Sequence, residues 1–135
     1  MAEVINKAIR ILERMEKKGL YSTEHISCAK EIICSYPIFK IRERIKKTHY
    51  KYVAASLWLT GCIMGEKYYR TYHQILTEVI GMKFGVYIAT SSAIKTSKGM
   101  VSDPNVKKTI LEIWESYGKQ EIPVRVRELN HLKRS

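Results

Sequence analysis

The chain has 135 residues, 45% hydrophobic and 27% charged, a composition typical of a single globular domain. No apolar run approaches the roughly 18 residues of a membrane span, and the cysteines Cys28, Cys34 and Cys62 form no C-x-x-C pair, which argues against a zinc ribbon. With 24 Lys and Arg against 13 Asp and Glu, the net charge is +11, which predicts a polyanionic partner.

The first half of the chain predicts three helices. An apolar stripe at spacings of three and four indicates a helix over about residues 3–18 that ends at Gly19. A second helix begins at Ser22 or Thr23, either of which can cap it, and breaks at Pro37. The stripe of the first helix comprises Ile5, Ile9, Leu12 and Met15, and that of the second Ile26, Ala29 and Ile33.

A basic segment at 38–51 contains one more possible helical run, and a third main helix follows near 49–64. This third helix mixes small and large apolar residues around its whole circumference. A helix that is apolar on nearly all sides is a buried one. We therefore expect 49–64 to be the central helix of the domain.

The second half predicts a helix-turn-helix. Thr71 and Gln74 have the spacing of a capping box, which starts a fourth helix that ends at Gly81. A glycine-containing turn leads to a fifth helix, about 84–97, with Val86, Ala89 and Ala93 on its inner side. The apolar face of the fourth helix comprises Ile75, Leu76 and Val79.

Asp103-Pro104 is a helix start, and it predicts a sixth helix over 104–117 closed by Gly118. The apolar side of this helix comprises Val106, Ile110, Ile113 and Trp114. Residues 119–135 form a basic tail that either wraps a partner or lacks order. The chain is thus predicted to be all-α, with one domain over 1–118.

Residues 52–81 resemble the heart of one cyclin-like repeat of the archaeal transcription factor B family. An alanine-rich helix with Ala54 and Ala55 ends in an apolar aromatic run, and a glycine-containing loop follows. The Arg70-Thr71 pair then leads into a helix with Glu78-Val79 near its end. The resemblance extends more loosely over 3–97 and implies a five-helix cyclin-like fold with an additional C-terminal helix.

The same resemblance implies a role in transcription. The sequence contains neither the family's zinc ribbon nor a second repeat, so we expect a regulator, cellular or viral, rather than an initiation factor. Tyr87, Ile88 and Thr90 lie around positions where archaeal members carry arginines that read the promoter. The implied partners are double-stranded DNA and, as an alternative, RNA polymerase or the TATA-binding protein.

Two basic surfaces are predicted to bind DNA, because Lys and Arg neutralise phosphates and hydroxyls add oriented phosphate contacts. The first comprises Lys40, Arg42, Arg44, Lys46, Lys47 and Lys51. The second, on the fifth helix and the Arg-Thr pair, comprises Arg70, Lys83, Tyr87, Thr90, Ser91 and Lys95. Each surface also has an alternative interpretation that involves no DNA. The first surface would then be an ordinary solvated helix face, and the second would pack against another helix.

No catalytic site, cofactor or small-molecule substrate is predicted. His49 and His73 have no sequence partner that marks a general base, and the chain has no glycine-rich phosphate loop. His25 and Cys28 lie one helical turn apart, but two ligands do not make a structural zinc site. The amino-terminal residues intersperse charges among apolar residues, unlike a secretory signal, so we expect a cytoplasmic protein.

Three functions are compatible with these features. The first is a DNA-binding transcription regulator. The second is a protein-interaction module that binds RNA polymerase or another basal factor without reading DNA. The third is a structural protein of a virus or nucleoid that coats DNA indiscriminately.

Overall fold

The computed structural model describes residues 2–36, 49–64 and 70–116, and all regular structure within these ranges is helical. The helices are α1 (Ala2–Lys17), α2 (Thr23–Ser35), α3 (His49–Met64), α4 (Tyr72–Gln74), α5 (Val86–Val101) and α6 (Pro104–Ser116). A π-helical segment, Ile75–Val79, continues α4 directly. The predicted all-α class is confirmed, whereas the cyclin-like arrangement stays a prediction.

Helix α1 ends as its sequence predicts. Gly19 adopts a left-handed backbone conformation with φ of 73°. The Leu20 N–H donates to the Met15 carbonyl at 3.1 Å and the Gly19 N–H to the Glu16 carbonyl at 3.0 Å. These two bonds form a Schellman motif, which satisfies carbonyls that the helix end leaves open.

Helix α3 is the centre of the fold, as predicted. Every residue from Tyr52 to Met64 is buried, and α1, α2, α5 and α6 all pack against it. Its buried hydroxyls are satisfied within the helix, because Ser56 donates to the Val53 carbonyl at 3.0 Å and Thr60 to the Ser56 carbonyl at 2.7 Å. A polar group that is hydrogen-bonded in this way can be buried at little cost.

The predicted start of the fourth helix is confirmed. The Gln74 N–H donates to Thr71 Oγ1 at 3.1 Å, and the Thr71 N–H donates to Gln74 Oε1 at 2.9 Å, which makes a complete capping box. The helix then widens, because the Ile80 N–H reaches the Ile75 carbonyl, five residues back, at 3.0 Å. In this wider turn the adjacent side chains of Ile75 and Leu76 are both fully buried.

The capping box leads to a stability prediction. Thr71→Ala removes the acceptor of the Gln74 N–H and should lower the free energy of unfolding by about 1 kcal/mol. For a domain of this size the melting temperature should fall by roughly 3–5 °C. Thr71→Ser keeps the acceptor and is the matched control. If Thr71→Ala melted together with Thr71→Ser in a calorimetric scan, the box would contribute nothing to stability.

Helix α5 differs from its prediction at both ends. It begins at Val86 rather than 84, because Gly85 has a left-handed φ of 71° and cannot continue a right-handed helix. It ends at Val101 rather than 97, since Met100 and Val101 are fully buried in the core. Burial of these two side chains outweighs the poor helix propensity of Gly99.

Helix α6 is capped as predicted, with Asp103 Oδ1 accepting from the N–H groups of Asn105 at 2.9 Å and Val106 at 3.3 Å. Its inner side is buried as predicted at Val106, Ile110 and Ile113, and Trp114 is half-buried. The predicted run at 38–48, the loop at 65–69, the Gly118 stop and the basic tail lie outside the described residues.

Candidate nucleic-acid interface

Helix α5 is fixed on the domain by α4. The Tyr72 ring stacks on Trp58 of α3 with centroids 4.8 Å apart, and its hydroxyl donates to Ser97 of α5 at 2.5 Å. Ser97 in turn donates to the Ala93 carbonyl at 3.0 Å. These contacts join α3, α4 and α5 into one unit and hold α5 in a defined orientation.

Large apolar side chains are exposed at the start of α5 and at Phe84, two residues before the helix. Phe84 is 89% exposed, Tyr87 88% and Ile88 73%. We call these three side chains the apolar triad. An exposed cluster of large apolar side chains is typical of a binding surface. Tyr87 was predicted as a binding residue, whereas Phe84 and Ile88 were not, although the helical period places Ile88 on one side of α5 with Ser91 and Lys95.

Polar and basic residues continue this surface. Lys83, Ser91 and Lys95 are exposed, as a binding role requires, whereas Thr90 is only half-exposed. The sequence from 80 to 102 contains no acidic residue. Gly85 provides no side chain to cap α5, so the helix start presents N–H groups and the positive end of its dipole.

Arg70 and Lys51 are held by aromatic rings. The Arg70 guanidinium lies over the Tyr21 ring, 4.7 Å from its centroid, and the Lys51 ammonium is 5.9 Å from the centroid of Tyr52. These are cation–π contacts, which give both side chains a structural role. Both are half-exposed, so each also presents charge at the surface.

An apolar groove runs beside α5. It has a volume of about 600 Å³ and lies between the start of α3, the π-helical segment and the first turns of α5. Its lining includes Tyr50, Ile80, Met82, Phe84 and Ile88. Two members of the apolar triad therefore form one wall of this groove.

A second groove, of about 310 Å³, is basic, and sequence reasoning missed it. We call it the α1 groove. One wall carries Lys7, Arg10 and Arg14 of α1 and Lys18, which directly follows the helix, and the other wall has His49, Tyr50 and Ile80. The available signal was the spacing of the four cations at three, four and four residues, which places them on one side of a helix.

His49, which lines the α1 groove, has a lowered pKa. Burial lowers the pKa of His49 below its ordinary value of 6.5, and the nearby Lys7 charge lowers it further. Both effects disfavour the imidazolium, and only the contribution of Lys7 reflects positive charge in the groove.

Five predicted binding residues lie outside the described residues. They are Lys40, Arg42, Arg44, Lys46 and Lys47. Their placement relative to α5 and to the α1 groove stays a prediction.

His25 is a core residue rather than a ligand. It is fully buried, and its Nε2–H donates to the Leu57 carbonyl of α3 at 3.2 Å. Burial lowers its pKa to about 4, with the Leu57 hydrogen bond opposing and the Arg70 charge adding to the shift. Within the described residues no three His, Cys, Asp or Glu side chains are grouped to hold a metal ion.

The remaining chemistry-bearing groups are scattered. The three cysteines, all within the described residues, form no disulfide; Cys28 and Cys62 are buried and Cys34 is exposed. His73 is exposed, and His49 lies in the α1 groove against Tyr50, with ring centroids 4.3 Å apart. No described helix has the length and apolar character needed to cross a membrane.

Comparison with family models, curated proteins and solved structures found no match to this chain. The resemblance to a transcription factor B repeat therefore rests on the residues of the chain itself.

Proposed function

We propose that the protein is a non-enzymatic, DNA-binding transcription regulator that presents α5 to a groove of double-stranded DNA. The observation that carries this proposal is the outer face of α5, which combines exposed Tyr87 and Ile88 with Ser91 and Lys95. In helix-turn-helix proteins the second helix lies in the major groove with its amino-terminal residues on the base edges. Here α4 with its π-helical continuation is the first helix, and α5 is the second.

The chemistry of this face fits AT-rich duplex DNA. Apolar side chains recognise the thymine methyl group in the major groove, and the apolar triad lies at the end of α5 that would enter first. Lys83 and Lys95 supply phosphate contacts, which give affinity without sequence choice. In the cyclin-like repeat that residues 52–81 resemble, the corresponding helix reads the promoter, and here Tyr87, Ile88 and Thr90 lie around the positions of the family's arginines.

Fluorescence-anisotropy titrations with duplex DNA test the proposal. Affinity should fall steeply with salt, because each neutralised phosphate releases condensed counterions, with a log–log slope of about −0.9 per contact. Lys83→Gln/Lys95→Gln should flatten that slope by about two units. Lys107→Gln/Lys108→Gln on α6 removes the same charge beside Glu112 and Glu115 and should leave the slope unchanged.

The sequence preference is tested on the same protein with a duplex selected from a random pool. Tyr87→Ala should reduce the difference in binding free energy between the selected and random duplexes by about 1 kcal/mol, which is roughly fivefold in affinity. Strong binding without any preference would instead support the DNA-coating function. A wild-type protein that fails to bind duplex DNA at low salt would refute both DNA-binding functions.

A second candidate function is favoured by the apolar triad. Phe84 projects beyond the start of α5 and lines the apolar groove, as expected of a surface that receives a protein partner. The protein would then bind RNA polymerase or the TATA-binding protein and modulate transcription without reading DNA. Binding of purified archaeal polymerase or TATA-binding protein, together with no duplex binding, would favour this function.

A further inference from the structure

The α1 groove has an excess of positive charge among its described lining residues. Among the described residues that line it, four are Lys or Arg and none is acidic. The carboxylate of Glu13 on the same helix is directed to α2, where its Oε2 lies 3.8 Å from Nζ of Lys30. Within the described ranges no carboxylate is within ion-pairing distance of Arg10, Arg14 or Lys18.

The shape of this charge favours a chain of phosphates over a single small anion. Arg10 and Lys18 are eight residues apart, a distance of roughly 12 Å along a helix that rises about 1.5 Å per residue. Phosphates of one DNA strand follow one another at about 3.4 Å along the duplex axis. The row of cations therefore spans several consecutive phosphates.

The side chains are suited to phosphodiester oxygens. Arg10 and Arg14 are exposed, and a guanidinium can donate two parallel hydrogen bonds to one phosphate. Tyr50, on the opposite wall, offers a hydroxyl that can orient a phosphate.

The α1 groove is continuous with the surface of α5. Tyr50 and Ile80 line both the α1 groove and the apolar groove, whose far wall includes Phe84 and Ile88. A nucleic-acid strand that follows the α1 groove past Tyr50 therefore arrives at the start of α5. The two surfaces can serve one ligand.

We propose that the α1 groove is a phosphate-binding site in which Arg10, Arg14 and Lys18 neutralise the backbone of the duplex that α5 contacts. In naming the duplex as ligand, this assignment rests on the proposed function. The groove supplies affinity and fixes the register of α5, while α5 supplies the sequence preference.

The first experiment compares salt-dependent binding of duplex DNA by three proteins. Arg10→Gln/Arg14→Gln should flatten the slope of log affinity against log salt by about two units. Arg10→Lys/Arg14→Lys keeps the charges and should retain most of the slope. Lys107→Gln/Lys108→Gln is the charge-matched control and should bind as the wild type does.

The second experiment uses inorganic tripolyphosphate and does not depend on DNA binding. Its addition should shift the imidazole NMR signals of His49, which lies in the groove, and leave those of the exposed His73 in place. Arg10→Gln/Arg14→Gln should abolish the shift. Both substituted residues are exposed on α1, so the circular dichroism spectrum should show an intact fold.

The outcomes separate the two proposals. If the wild type binds duplex DNA but Arg10→Gln/Arg14→Gln keeps the full salt slope, the α1 groove assignment is wrong and the role of α5 stands. If the wild type does not bind duplex DNA, the proposed function fails. Tripolyphosphate binding that the arginine variant loses would then still support a phosphate site, and its absence would overturn the site as well.

Discussion

Leu59→Ala should lower the free energy of unfolding by about 3 kcal/mol and the melting temperature by about 10 °C. Leu59 is 1% exposed in the middle of α3, the helix against which α1, α2, α5 and α6 pack. Truncation removes the transfer free energy of the side chain and leaves a cavity that neighbours on several sides cannot close together. Urea unfolding followed by circular dichroism measures the loss.

Leu111→Ala on α6 is the matched control, because it removes the same atoms from a side chain that is 40% exposed. Its cost should be below about 1 kcal/mol, since little apolar area returns to water and no closed cavity forms. Equal losses for the two variants would contradict the central position of α3. The resemblance to a cyclin-like repeat would then lose its structural basis as well.

Acidification from pH 7 to pH 4 should destabilise the protein through His25 by about 3 kcal/mol. The pKa of His25 is lowered from 6.5 to about 4, chiefly because the ring is buried in the core. The folded protein therefore keeps this ring neutral, while the unfolded chain takes up a proton below pH 6.5. The free energy of unfolding is therefore unaffected by His25 above pH 6.5, and it decreases as the pH falls from about 6.5 to about 4.

His25→Gln isolates this contribution from that of the carboxylates. Glutamine does not titrate, yet it keeps an N–H donor for the Leu57 carbonyl, which His25 Nε2 contacts at 3.2 Å. Between pH 4.5 and 6, the free energy of unfolding of His25→Gln should depend less steeply on pH than that of the wild type. The reason is that the variant takes up as much as one proton fewer on unfolding. His73→Gln, at an exposed position, should keep the wild-type profile. A His25→Gln profile parallel to that of the wild type would show that this ring protonates equally in both states.

The two DNA proposals assign different tasks to neighbouring surfaces. Lys83 and Lys95 flank the face of α5 that carries Tyr87, whereas Arg10 and Arg14 lie across Tyr50 in the α1 groove. Removal of either pair should flatten the salt slope, because each pair neutralises phosphates. Only Tyr87→Ala should change the preference between duplexes, since base edges carry the sequence information.

The sequence determined the helices and most of their ends, because these depend on interactions between residues close together in the chain. The caps at Ser22, Thr71 and Asp103 each bind an N–H two or three residues further on. At the end of α1, the N–H groups of Gly19 and Leu20 likewise donate to carbonyls only three and five residues back in the chain. The burial of α3 was also predictable, since apolar residues around a whole helix leave it no side for water.

Only the tertiary structure decided the rest of the candidate site. Helix α5 extends through Gly99 because Met100 and Val101 reach the core. His25 is buried against α3, where the Leu57 carbonyl, 32 residues away, accepts its Nε2–H. The α1 groove exists because Tyr50 and Ile80 come to lie beside the cations of α1. Contacts between residues so distant in sequence depend on how the helices pack, and no local pattern of residues encodes that packing.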